Sequence, residues 1–133
     1  MILDKQNGIT EKIIQCFYSV YNELGYGFLE AVYQNAMYYA LKDLGFKVEN
    51  EKEIIVHFDG RVVGKYRADF LINNAVIVEL KTAETLLLEH ELQLVNYLRA
   101  TDIEVGLLLN FGKKPQIKRK IFDNEMKNLC ESV

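Results

Sequence analysis

Residues 68–81 read Ala68-Asp69-Phe70-Leu71-Ile72-Asn73-Asn74-Ala75-Val76-Ile77-Val78-Glu79-Leu80-Lys81. Two short apolar runs flank an Asn-Asn pair, the pattern of two antiparallel strands joined by a tight turn. Into those runs are set three charges, Asp69, Glu79 and Lys81. Residues two apart on a strand share a face, so Glu79 and Lys81 lie with Ile77, while Val76, Val78 and Leu80 face the other way. Phe70 and Ile72 belong with that second set, which leaves Asp69 on the charged face. Two carboxylates and a lysine therefore converge on one side of a sheet. Charges there are costly unless they pair or hold a metal.

The turn fixes whether this convergence is real. A two-residue Asn73-Asn74 loop would pair Asp69 with Val78 and send Glu79 to the opposite face. Setting Asp69 opposite Glu79, and Phe70 opposite Val78, requires a three-residue loop (Asn73 to Ala75) or a bulge, with an Asn in the left-handed region.

Upstream, apolar residues recur with helical period from Thr10 to Leu24, at Ile13, Ile14, Phe17, Val20, Tyr21 and Leu24. Thr10 or Asn7 is placed to cap this helix, and Gly25 with Gly27 stops it. A second helix spans about Phe28 to Leu44, with the stripe Leu29, Val32, Tyr33, Ala36, Met37, Ala40, Leu41 and Leu44, closed by Gly45. Glu30 falls in its first turn, where the helix dipole favours a carboxylate. It also lies beside the apolar stripe, three residues before Tyr33, which leaves a site role open. Lys47 to Asn50 is extended, Glu53 to Phe58 alternates as a strand, Asp59-Gly60 signals a hairpin, and Arg61 to Tyr66 returns.

Downstream, a helix is expected from Ala83 or Leu86 to Ala100. His90, Gln93 and Tyr97 stand on it at i, i+3 and i+7, forming one polar stripe. Leu88, Leu92, Val95 and Leu98 are expected to bury against the sheet. Singly, each polar residue has an ordinary explanation: a solvated Gln, a core Tyr with a wet hydroxyl, a surface or capping His. Ile103 to Leu109 reads as a buried strand, Asn110 to Pro115 as a loop, and Gln116 to Phe122 as an edge strand before a ragged helical tail. The order is roughly ααβββ(β)αβ, a single mixed α/β domain over residues 1–133 with a central sheet.

The chain has 133 residues, half of them hydrophobic, with one proline, so it is long enough for a real core and poor in disorder-promoting composition. A net charge of −3 argues against a protein that coats nucleic acid generically. Basic residues do cluster late, at Lys113, Lys114, Lys118, Arg119 and Lys120, leaving room for a local phosphate-binding surface at Lys113 and Lys114. The plainer reading is a solvated charge run. Cys16 and Cys130, far apart and in helix-like contexts, form no CxxC motif, and a reducing compartment is the default. No signal-like N-terminus and no apolar run near the roughly 20 residues of a membrane span are present, so a cytoplasmic protein without a membrane partner is expected.

Asp69, then Glu79-Leu80-Lys81, then Gln93-Leu-Val-Asn-Tyr97 resembles the Asp…Glu-x-Lys…Gln-x-x-x-Tyr signature of the PD-(D/E)xK nuclease superfamily. The Gln-x-x-x-Tyr element is similar to that of its recombination-exonuclease branch. Gly27-Phe-Leu-Glu30-Ala-Val-Tyr33 is similar to the motif that names the GxxExxY protein family. Asn22-Glu23-Leu24-Gly25, Glu79-Leu-Lys-Thr and Leu108-Leu-Asn110-Phe111 also look like that family, so the resemblance covers roughly residues 8 to 122. It departs in having Ala68 where the superfamily name has proline.

The resemblance implies a restriction-endonuclease-like mixed central β-sheet flanked by helices, and a metal-dependent phosphodiesterase acting on nucleic acid, DNA rather than RNA. Phosphodiester hydrolysis needs a hydroxide nucleophile and neutralised phosphate charge, both of which Mg²⁺ or Mn²⁺ supplies. Hard cations take oxygen ligands, so the implied ligands are Asp69, Glu79 and the Leu80 carbonyl, with Glu30 binding directly or through water. Lys81 would orient or help deprotonate the attacking water and meet developing charge. Gln93 would position water or phosphate, Tyr97 would hold Gln93, Lys81 or the phosphate, and His90 could touch the phosphate or the Glu30 shell.

Three competing accounts stand beside this one. Asp69 and Glu79 could pair with Lys81 and Arg67 in a structural ion network. The chain could be a catalytically silent module that binds nucleic acid or a protein. It could also form a homodimer through an apolar edge of Phe111, Ile117, Ile121 and Phe122. No aromatic-rich basic groove can be read from the sequence. Tyr18, Tyr26, Tyr38 and Tyr39 are expected to finish the helical core, and His57, within a strand, is assigned no role.

Overall fold

The turn after Ile72 has the three residues that the register requires. In the computed structural model, strand β2 (Arg61–Ile72) meets strand β3 (Val76–Lys81) with Ile72 opposite Val76 and Phe70 opposite Val78. Asn73 and Asn74 both take left-handed backbone, with φ of 52° and 53°, and the Ala75 N–H donates to the Ile72 carbonyl at 2.9 Å. Asn tolerates that region because its short amide can bond locally. Here the Asn73 Oδ1 accepts from the Lys47 N–H at 2.8 Å.

The structure describes the backbone of residues 2–131 and the side chains of residues 6–127, so the Cys130 thiol lies outside the described residues. Helices α1 (Ile2–Leu24) and α2 (Glu30–Asp43) precede β1 (Val48–Phe58), β2 and β3. Helix α3 (Leu88–Ala100) then crosses to β4 (Val105–Phe111), and β5 (Pro115–Ile121) and α4 (Asn124–Glu131) follow. The five strands lie in the order β1-β2-β3-β4-β5, with β3 parallel to β4 and the other neighbours antiparallel. This is an α/β fold of restriction-endonuclease-like type, in the order ααβββαββα. Arg61 to Ile72 is one strand, so the additional strand expected before the crossover is absent.

One sheet face carries Phe70, Ile72, Val76, Val78, Leu80, Val105, Leu107 and Leu109 and packs on α1 and α2. The other carries Leu71, Ile77 and Leu108 and packs on Leu94, Tyr97 and Leu98 of α3. Glu79, Lys81 and Asp69 therefore share the α3 face, as strand alternation dictates.

Alternation slips between Ala68 and Asp69 on β2, and the β1–β2 register shifts again farther out, between Val56 and His57. Ala68 and Leu71 lie on the α3 face, although an odd spacing separates them, while Phe70 and Ile72 lie on the other. The partner strand slips at the same level. Asn50 pairs with Phe70 and Lys52 with Ala68, and between them Glu51 takes φ 49°. A left-handed non-glycine residue inside a strand is an uncommon and costly conformation. The outer arms of the β1–β2 hairpin thereby present their even-numbered residues, Ile54 and Tyr66, toward α3.

Several element limits differ from the sequence reading. Helix α1 begins at Ile2, and Thr10 does not cap it: its Oγ1 donates back to the Asn7 carbonyl at 3.0 Å within the helix. Helix α2 buries Tyr33, Met37 and Leu41 but leaves Leu29 and Val32 exposed. Helix α3 starts later than expected, because side chains of β4 and β5 occupy the main-chain groups of Ala83 and Leu86. Leu88 and Leu92 face solvent, and Leu94, Tyr97 and Leu98 take the buried positions. Tyr18, Tyr26 and Tyr39 are likewise exposed. Of the four residues of the candidate dimer edge, Phe111 is buried against Tyr33, Ile117 and Phe122 are partly buried on the two cores, and Ile121 is exposed. Among the described residues no helix is long and apolar enough to cross a membrane.

Candidate active site

Beyond the Phe70–Val78 pair the ladder between β2 and β3 is replaced by side chains. The Asp69 N–H donates to Glu79 Oε1 at 2.8 Å, and the Leu80 N–H donates to Asp69 Oδ2 at 2.7 Å. Each carboxylate thus completes the other strand's main chain, and this reciprocal pair orients both groups on the α3 face. Glu79 is only 7 % exposed. Burial, followed by repulsion from Asp69, pushes its carboxyl up to about 8. Burial raises Asp69 as well, against the Leu80 hydrogen bond and the Lys81 charge that favour ionisation.

Glu30 reaches this cluster from α2. Its carboxyl is raised by burial and then by Asp69, and lowered by Lys81, so it shares the electrostatics of all three residues. The Gly25–Gly27 corner and Tyr33 hold the helix start that carries it. Gly27 takes φ 107°, a conformation that only glycine adopts easily. The buried Tyr33 hydroxyl donates to the Gly25 carbonyl at 2.7 Å and accepts from the Phe28 N–H at 3.3 Å. Tyr33 is thus the pin of the corner as well as a member of the core stripe, its ring stacked on Phe111 at 4.3 Å.

Helix α3 closes the site from above. Gln93 Nε2 donates to the Tyr97 hydroxyl at 2.9 Å. Burial, then the charges of Glu79 and Asp69, push Tyr97 up to about 12, so it stays a phenol facing the carboxylates. His90 serves the helix start instead. Its Nδ1 accepts from the Leu87 N–H at 3.1 Å, satisfying an otherwise free donor there. The competing ion network is not built. Arg67 pairs with Glu51 at 3.4 Å, and among the described residues no ion pair joins Lys81 to Asp69 or Glu79.

The family profile of the PD-(D/E)XK nuclease superfamily matches residues 7–120. The chain belongs to the PD-(D/E)XK nuclease superfamily. Among solved structures, the crystal structure of SSO0001 is similar at 22 % identity and a TM-score of 0.58, covering 98 % of this chain and 67 % of that one. That likeness concerns the fold alone. No curated protein sequence matches the chain.

PD-(D/E)XK nucleases generally use divalent metals, and the donor set here suits one of hard character. Glu79 is a buried and Asp69 a partly buried oxygen donor, with Lys81 two residues beyond Glu79 on the same face. Among the described residues no three Asp, Glu, His or Cys side chains stand at ligating spacing. The fit is therefore to an ion that takes few protein ligands and keeps its waters, as Mg²⁺ does.

Sequence reasoning gave no bracing role to the residues that hold the candidate site together. Asn110 is fully buried; its Oδ1 accepts from the Ala83 N–H at 2.9 Å, and its Nδ2 donates to the Ala83 carbonyl at 2.9 Å and to Gln116 Oε1 at 3.0 Å. Gln116 Oε1 also accepts from the Leu86 N–H at 3.0 Å. This clamp holds the segment that leaves Lys81, the residue paired with Asn110 across β3 and β4. Gly112 makes the approach possible, since a Cβ there would stand 2.2 Å from the Ala83 carbonyl oxygen. A polar Asn ending the run Leu107-Leu-Leu109 was the available signal. Lys113 and Lys114 lie in the following turn, exposed, at the end of the sheet where Lys81 emerges.

A groove also emerges that no single stretch of sequence shows. It has a volume of about 880 Å³ and runs between the β1–β2 hairpin and α3, lined by His57, Tyr66, His90, Gln93, Tyr97 and Arg99 among others. His57, assigned no role from the sequence, lies on its wall.

Proposed function

We propose that this chain is a metal-dependent nuclease of the GxxExxY type, hydrolysing the phosphodiester backbone of DNA in the cytoplasm and working as one domain. The observation that carries the reading is the convergence of Glu30 from α2, Asp69 from β2, and Glu79 with Lys81 from β3 into one electrostatic cluster on a sheet face. Chain folding alone gives no reason to bury so much charge there. Mg²⁺ or Mn²⁺, held by Asp69, Glu79 and the Leu80 carbonyl, would neutralise phosphate charge and acidify a water. Lys81 orients that water, takes part in its deprotonation and meets the charge that develops on the phosphate. Gln93, steadied by Tyr97, positions water or phosphate. Glu30 binds through water, Lys113 and Lys114 meet the flanking backbone, and His90 contributes to substrate only through its outer nitrogen.

Calorimetric titration of metal-free protein with Mn²⁺, beside Glu79→Ala, tests the site, and a cleavage screen over single-stranded, duplex and RNA substrates tests the activity. Lys81→Ala is expected to keep the fold and metal binding while cleavage falls by about 10²-fold or more. Cleavage retained in Lys81→Ala removes Lys81 from the mechanism. The acidic balance of the chain, net charge −3, favours the second reading, a silent nuclease-fold module that binds nucleic acid or a protein. Its mark is salt-sensitive binding that Asp69→Asn leaves unchanged.

A further inference from the structure

The groove beside the site shares two of its walls with the catalytic cluster. Gln93 and Tyr97 line it, and Tyr97 packs in one buried cluster with Ala68 and Ile77, the strand neighbours of Asp69 and Glu79. A chain whose phosphate sits at the carboxylates would therefore run directly into it. Its volume of about 880 Å³ lies within the roughly 300–1,000 Å³ of sites that enclose ligands of nucleotide size. A duplex, whose major groove alone is about 12 Å wide, is far larger.

The lining matches an unstacked nucleotide. Tyr66 projects into the groove from β2, is 50 % exposed, and lies 5.8 Å from the Tyr97 ring at an interplanar angle of 49°. Two residues earlier on the same face, Gly64 carries no side chain, and a Cβ there would come within 3.4 Å of the Tyr66 ring. His57 lies on the neighbouring strand, and Arg99, held 5.2 Å over the Phe122 ring, brings positive charge. An exposed aromatic face beside cationic and imidazole groups is the arrangement that stacks bases and follows a phosphate backbone. The slip at Glu51 is what turns Tyr66 toward α3; uninterrupted alternation from Asp69 would point it away.

We infer that the groove between the β1–β2 hairpin and α3 is a binding site for single-stranded nucleic acid, in which Tyr66 stacks a base next to the phosphate held at the catalytic cluster. This deepens the nuclease reading and rests on it for the direction of the strand. Whether the strand is DNA or RNA is a question for the probes, since both offer the same bases and phosphates.

The test is fluorescence anisotropy in EDTA with labelled oligothymidylate and oligouridylate of about a dozen nucleotides, and with a duplex of equal length. The proteins are wild type, Tyr66→Ala, Tyr66→Leu (which keeps apolar bulk without a π-face) and Tyr66→Phe, each checked for folding by circular dichroism. Tyr66→Ala and Tyr66→Leu are expected to weaken single-strand binding about tenfold, the order of one base stacked on an aromatic ring. Tyr66→Phe should bind like wild type, and duplex binding should be weaker and insensitive to all three. Wild-type affinity in folded Tyr66→Leu, equal loss on duplex, or no oligonucleotide binding by wild type each overturns the inference. Cleavage with Mn²⁺ is scored separately. Cutting that persists without Tyr66-dependent binding sinks the groove and keeps the nuclease, whereas Tyr66-dependent binding without any cutting does the reverse.

Discussion

Glu79→Gln removes one negative charge from a side chain that is 7 % exposed, and keeps the Oε1 that accepts the Asp69 N–H. In the metal-free protein the substitution should stabilise the fold, with a pH dependence whose sign is fixed. Below about pH 4.5 Glu79 is protonated in both folded and unfolded chains, so Glu and Gln are nearly equivalent. Between 4.5 and about 8 the unfolded chain releases the proton while the folded chain holds it. Wild-type stability therefore falls as pH rises across this window, and above about 8 the penalty is constant. The shift from 4.5 to about 8, at about 1.36 kcal/mol per unit, bounds the effect at about 5 kcal/mol. Water entering the opened face should reduce the measured difference to about 2 kcal/mol. Urea unfolding of both proteins in EDTA at about pH 5, pH 7 and pH 9 reads it directly, and groups common to both cancel in the difference. An advantage for Glu79→Gln that grows with pH is expected. A variant less stable than wild type at pH 9, or a difference flat with pH, would refute the claim that this face holds an uncompensated charge. Excess Mn²⁺ should reverse the order, because only wild type gains the binding energy.

The bracing residues give further expectations. Asn110→Ala leaves the Ala83 main chain and Gln116 without their partner, and should cost about 2 kcal/mol in urea unfolding while reducing cleavage through the loosened Lys81 segment. Tyr33→Phe removes the hydroxyl that joins Gly25 to Phe28. It should cost about 1–2 kcal/mol in thermal unfolding, with a modest loss of Mn²⁺ affinity as the Glu30 end of α2 loosens. Glu51→Gly relieves a left-handed residue at φ 49° and should stabilise by about 0.5–1 kcal/mol, the conformational penalty less the entropy that glycine adds to the unfolded chain; unfolding at matched pH decides it.

The charged hairpin was legible because period-two alternation and a single register choice determine it completely. Asp69, Glu79 and Lys81 could share a face only with a three-residue turn or a bulge, and the turn has three. What escaped was whatever depends on distant partners. Nothing local marks Glu51 as left-handed, so the slip that swings Tyr66 and Ile54 toward α3 had no sequence signature. The buried side of α3 was misjudged because Leu88 and Leu92 look like core residues, yet they lie on the helix side away from the buried Leu94, Tyr97 and Leu98 and face water. The start of α3 was placed too early because the competing bonds come from Asn110 and Gln116, roughly one crossover away in sequence.

That clamp bears on how the protein comes into being. The Ala83 main chain is held by Asn110, 27 residues later, and the Leu86 N–H by Gln116, 30 residues later. Strand β3 also has no parallel neighbour until β4 exists. A nascent chain that has left the ribosome only as far as α3 would carry Glu30, Asp69, Glu79 and Lys81 together with no means of fixing Lys81. The strands that complete the site come after every one of those residues. Ordering of the candidate site is thus completed only once β4 and β5 have been made, after every one of its charged residues.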